Sequence, residues 1–136
     1  MGNEQVIVLD THALVWWAAG SDQMSPRATK AIGEALREGP IAASAISILE
    51  IATAVRRGRL VLSRPVEDWL ADVRALPELR IEPVGFEVAS RAGAWGDAMP
   101  GDPADRLIAA TALVLGARLV TADERLAKAR VVRTVW

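Results

Sequence analysis

Asp10, Glu50, Asp105 and Asp123 are the residues of this sequence whose types and positions best allow shared chemistry. Asp10 ends the apolar run Val6-Ile7-Val8-Leu9, and Asp123 follows Leu119-Val120-Thr121-Ala122 in the same manner. Glu50 lies among Leu49, Ile51 and Ala52, where burial of a carboxylate is costly unless a cation is near. Asp105 falls just after Asp102-Pro103, in the first turn of an expected helix. Carboxylates gathered in one place repel each other, and a divalent cation relieves them. Hard oxygen donors suit Mg²⁺. A bound ion lowers the pKa of water and stabilises charge developing on a phosphoryl group. The chain has no cysteine and a single histidine, His12. Thiolate chemistry is thereby excluded, and a Ser–His–Asp triad would depend on His12 alone. His12 reads as first-turn packing beside the acids rather than as a general base.

Each acid also has a plainer explanation. Asp102 fits a helix N-cap, Asp105 complements a helix N-terminus, and Asp123 caps a short helix beginning at Glu124. Ser47-Ile48-Leu49-Glu50 matches a capping box, although the apolar period already begins near Ala45 and makes Glu50 a mid-helix residue. Singly, each acid reads as structural. Four of them at strand ends and helix starts read as a cluster.

The elements that must position them alternate in type. Val6–Leu9 reads as a strand buried on both faces. A short helix over 13–19 follows and exits at Gly20-Ser21-Asp22. Ser25-Pro26 opens a second helix and Gly39 closes it. A brief strand at 41–43 leads into an apolar helix over 44–57, and Ser63-Arg64-Pro65 starts a helix carrying Trp69, Leu70, Val73 and Leu76 inward. A strand at 81–84 contains Pro83, which suggests an edge or a strand end. Next come a helix over 86–95, a loop over 96–101 and an apolar helix over 103–115 closed by Gly116. A strand at 118–121, a helix at 123–128 and a strand at 131–135 complete the order. Strands alternating with helices imply an α/β three-layer sandwich with a mostly parallel central sheet. At 136 residues, with no repeat or linker, residues 1–136 read as one domain.

Net charge is −1, so no general basic field attracts nucleic acid, and local arginines and bound cations must offset phosphate repulsion. The apolar runs are too short to span a bilayer, and the N-terminus lacks the pattern of a signal peptide. A cytoplasmic location and no membrane partner are the expectation. Arg56-Arg57-Gly58-Arg59 reads as a solvated helix end or as a phosphate-contacting rim.

The segments Leu9-Asp10-Thr11-His12-Ala13-Leu14-Val15-Trp16-Trp17, Ser47-Ile48-Leu49-Glu50-Ile51, Gly101-Asp102-Pro103-Ala104-Asp105-Arg106-Leu107-Ile108-Ala109-Ala110-Thr111-Ala112 and Leu119-Val120-Thr121-Ala122-Asp123-Glu124-Arg125-Leu126 resemble the PIN-domain family. Within it they look most like the VapC-type toxins of bacterial toxin–antitoxin pairs. No single segment is decisive, but the four together, in family order, are specific. The resemblance implies a metal-dependent endoribonuclease in which Asp10, Glu50, Asp105 and Asp123 surround one or two Mg²⁺ or Mn²⁺ ions. Asp10 and Asp105 are then the direct ligands, Glu50 binds metal or orients the attacking water, and Asp123 acts through water. Asp102, Thr11, Thr121 and Arg106 are secondary candidates, Arg106 either pairing with Asp105 or meeting a substrate phosphate. Some relatives carry a His shortly before the Asp-Pro pair; here that position lies in Met99-Pro100-Gly101, so no such role transfers. The resemblance further implies an RNA substrate and a small antitoxin protein. Trp16-Trp17 reads as core plus a partly exposed aromatic, or as one wall of a docking groove. The alanine-rich faces near 44–55 and 107–115 could pack tightly within the chain or form a homodimer seam.

Other classes fit less well. A phosphoacceptor domain of receiver type would want paired acids after the first strand and a lysine beyond a later one, whereas only Asp10 follows the first strand. A haloacid dehalogenase-type phosphatase would want an acid where His12 stands. A nuclease-like fold acting only as a binding module has no need of all four acids.

Overall fold

The computed structural model describes residues 6–136. Its strands are β1 (Ile7–Leu9), β2 (Ile41–Ser44), β3 (Leu79–Glu82), β4 (Arg118–Val120) and β5 (Thr134–Val135). Its helices are α1 (Thr11–Ala19), α2 (Pro26–Glu38), α3 (Ala45–Arg56), α4 (Val66–Ala75), α5 (Phe86–Ala94), α6 (Pro103–Leu115) and α7 (Glu124–Ala129). The strands form one sheet in the order β3-β2-β1-β4-β5, with every pairing parallel. This is the expected α/β sandwich, and Pro83 directly follows an edge strand.

The sheet alternation sorts the core into two layers. Ile7, Leu9, Ile41, Ala43 and Val120 face one side, where α1, α2 and α4 supply Leu14, Ile32 and Trp69. Val8, Ala42 and Leu119 face the other, against Ile108, Ala109 and Ala112 of α6 and Leu126 of α7. β1 is fully buried on both faces, as a central parallel strand must be. Helix limits follow local chemistry. Ser25 accepts a hydrogen bond from the Ala28 N–H at 3.0 Å with Pro26 opening α2, and Gly116, at φ 65°, closes α6.

Some limits differ from expectation. The last strand pairs only over Thr134–Val135, because Val131 and Val132 pack against the core from a bend before the ladder begins. Ser44 rather than Ser47 caps α3, so Glu50 is a mid-helix residue and the capping-box explanation falls away. The small residues of α6 are spent within the chain. Ala109 and Ala112 lie on the sheet and Ala110 lies against Val88 and Ala92 of α5, so this face is not free for a dimer seam.

Candidate active-site cleft

Register brings Asp10 to the C-terminal edge of the sheet. β1 pairs Leu9 with Ala43 on one side and with Val120 on the other, so Asp10 emerges between Ser44 and Thr121. The chain runs outward from β1 to β2 and β3, then crosses back to place β4 on the opposite flank of β1. The ends of β1 and β4 thus border the point where strand order reverses, the usual ligand crevice of open α/β sheets. Asp10 and Asp123 sit at that point. α3 brings in Glu50, and the start of α6 brings in Asp102 and Asp105. All five acids line one open cleft of about 960 Å³, together with Thr11 and His12.

The hydrogen bonds of the cleft are specific. Asp10 caps α1, its Oδ1 accepting from the Ala13 N–H at 2.8 Å. Its carboxyl is pushed up chiefly by burial, with Thr121, Ala13 and His12 pulling the other way. The Thr11 hydroxyl donates to Glu50 and lies 2.9 Å from the buried Ser47 hydroxyl. Asp102 caps α6 through the Ala104 N–H at 2.8 Å. Asp123 caps α7 through the Arg125 N–H at 2.9 Å, while the buried Thr121 hydroxyl accepts from the Asp123 N–H at 3.0 Å. Asp105 caps nothing in these bonds. Its carboxyl is pushed up to about 6, first by burial and then by the charges of Asp102, Asp123 and Glu50, with Arg125 opposing. Asp123 is held below the usual carboxylate range, mainly by the Arg125 side chain.

Arg125 was not singled out in the sequence, although its place two residues after Asp123 was visible there. Its guanidinium bridges Asp123 at 2.9 Å and Asp105 at 3.5 Å. Arg106 corrects an expectation, because it neither pairs with Asp105 nor faces the cleft. Its guanidinium donates to the backbone carbonyls of Ala92 at 2.9 Å, Pro100 at 3.3 Å and Met99 at 3.4 Å, and to that of Trp95. It ties down the loop that leads into Asp102. His12 is exposed in the first turn of α1, lining the cleft beside the acids, and its ring centroid lies 5.5 Å from that of Trp16. Trp16 and Trp17 are both half-buried, and Trp16 tilts against Trp136 at 5.5 Å.

The donors are all hard oxygens, and the crowding of Asp102, Asp123 and Glu50 around Asp105 is what a divalent cation relieves, so their chemistry fits Mg²⁺ or Mn²⁺. A ready-made ligand set is nevertheless not what the side chains present. Among the described residues no three Asp, Glu or His groups converge closely enough to hold one ion. The reason lies in their present partners: Asp10 faces the Ala13 N–H, Glu50 faces Thr11, and Asp105 and Asp123 share Arg125.

A PIN domain family model matches residues 7–132. Ribonuclease VapC22 of Mycobacterium tuberculosis is 40% identical over 132 residues, which cover 96% of this chain and 98% of the relative. Among solved structures, VapBC2 from Rickettsia felis bound to a DNA fragment from its promoter aligns with TM-score 0.63 at 18% identity, over 95% of this chain and 96% of that chain. FitAcB from Neisseria gonorrhoeae aligns with TM-score 0.64 at 24% identity, over 94% of this chain and 95% of that chain. At such identities the structural likeness speaks to the fold.

Proposed function

The chain belongs to the PIN domain family, and from that premise we propose that it is the toxin endoribonuclease of a type II toxin–antitoxin pair, hydrolysing RNA with Mg²⁺ or Mn²⁺. One observation carries the reading: a chain akin to a ribonuclease along nearly its whole length gathers five acids at the strand-order reversal of its sheet. Asp10 and Asp105 would hold the cation. A bound cation would supply an activated water and charge stabilisation at the phosphoryl oxygens. Glu50, which accepts a hydrogen bond from the Thr11 hydroxyl, would bind the cation or orient that water. Asp123, joined to Asp105 through Arg125, would act through water, and Asp102 sets the start of α6. Water oxygen bonds to phosphorus and gives up a proton, the bond from phosphorus to the 3′ oxygen breaks, that oxygen takes up a proton from solvent, and the products end in a 5′-phosphate and a 3′-hydroxyl.

The same reading brings a small antitoxin protein as partner and the cytoplasm as setting. No helix among the described residues is long and apolar enough to cross a membrane. A homodimer formed through small residues is left the half-buried Ala45 and Ala52 of α3, because those of α6 are already packed and Ala54 lines the cleft. The test is a sequenced cleavage map of total RNA after brief expression of wild type beside Asp10→Asn. Discrete cuts present in wild type and absent in the variant are expected. Identical maps would overturn the proposal.

A further inference from the structure

The cleft does not end at the acids. From Glu50 its wall continues along α3 past Thr53 and Ala54 to Arg57, and on to Arg59 and Leu60. Glu50 and Arg57 are two helical turns apart, about 10 Å along the axis. Both arginines are exposed, and neither has an acidic partner among the ion pairs of the described residues. Arg56 belongs to the same basic run but does not line the cleft.

The backbone explains the selection. α3 closes with the Gly58 N–H donating to the Val55 carbonyl at 3.1 Å and the Arg59 N–H to the Ala54 carbonyl at 2.8 Å, with Gly58 at φ 71°. This left-handed closure turns the chain back over the last helical turn. Arg57 and Arg59 thereby both line the cleft, one on each side of Gly58.

We propose that Arg57 and Arg59 form a phosphate subsite for a nucleotide neighbouring the scissile one, holding a single RNA strand along the α3 wall. The inference rests on the ribonuclease reading and names how that site grips its substrate. Charge complementarity supports it. A cleft whose other end gathers carboxylates repels a polyanion, and these two free cations are the counterweight within the same opening. The exposed Leu49 next to Glu50 and the half-buried Ile46 one turn before it offer apolar surface to unpaired bases at the acid end of this wall, favouring a single strand over a duplex. Arginine positions a phosphate without reading sequence, so the pair sets register rather than base preference.

The test is binding of a single-stranded oligoribonucleotide in EDTA over a range of salt, followed by cleavage in Mg²⁺. Arg57→Gln/Arg59→Gln is expected to weaken binding about tenfold at low salt and to reduce the log K against log salt slope by about 0.7 per arginine. Arg56→Gln is expected to leave both unchanged, and Arg57→Lys/Arg59→Lys to restore the slope. In cleavage the Gln pair should raise KM for long RNA with kcat retained, while wild type and variant cut a dinucleotide alike. Thermal melting confirms that the variants are folded. If wild type cuts RNA but the Gln pair behaves like Arg56→Gln, or if the pair loses dinucleotide cleavage as well, the subsite is overturned and the ribonuclease reading stands. If wild type cuts no RNA, that reading falls and takes the subsite with it.

Discussion

Asp105 is the residue whose environment most separates a functional carboxylate from a capping one. Asp10, Asp102 and Asp123 each accept a backbone N–H at a helix start, so part of their value is structural. Asp105 has no such bond, and burial with three neighbouring acids holds its carboxyl at about 6. A carboxyl raised above its unfolded value favours folding when protonated. Its stabilising contribution is complete below the unfolded value of 3.8 and is lost as pH rises through about 6. Without divalent cation, Asp105→Asn is therefore expected to melt higher than wild type at neutral pH, by about 0.5–2 kcal/mol, the gap closing toward pH 4. A melting series in EDTA over that range checks the sign. Asp102→Ala should instead lose about 1 kcal/mol as a missing cap. Arg125→Ala should enlarge the thermal shift produced by Mg²⁺, since the guanidinium that now spans Asp105 and Asp123 competes with any cation there.

At the scale of elements, the loop before α6 depends on Arg106. A guanidinium serving several backbone carbonyls is not replaced by lysine, whose ammonium cannot span them. Arg106→Lys should cost about 1–3 kcal/mol in denaturant unfolding and reduce cleavage through displacement of Asp102 and Asp105. Most helix starts were legible in the sequence because capping is local. Ser25-Pro26 and Asp102-Pro103 announce α2 and α6 by themselves. Asp10 also caps α1, a role that its place after a buried strand does not announce, and Ser44 at the end of β2 caps α3, in line with an apolar period that begins near Ala45 rather than with the capping-box pattern at Ser47. The direction of Arg106 could not be read from its neighbour in sequence. Asp105 and Arg106 leave α6 on different sides, and the end of α5 together with the packed α5–α6 loop supplies the carbonyls.

At the scale of the molecule, strand order decides which acids can meet. Residues 10, 50, 105 and 123 are far apart in the chain, and the reversal of the sheet at β1 and β4 is what gives them one cleft. The alternation of strands and helices made that architecture legible. The pairing of Arg125 with Asp105 and the packing of Trp136 on Trp16 were not, because both depend on tertiary approach. Expression of the chain alone is expected to arrest growth and co-expression of a small partner to restore it, and abundant folded chain without arrest would remove the toxin role. The central claim is that the acid cleft hydrolyses RNA with a divalent cation. Its most direct measurement is the end chemistry of a defined single-stranded RNA cut by purified protein in Mg²⁺, with EDTA and Asp10→Asn alongside. Cleavage leaving 5′-phosphate and 3′-hydroxyl ends, abolished by either control, is the expected result. Products bearing 2′,3′-cyclic phosphate, or cleavage that persists in EDTA, would contradict it.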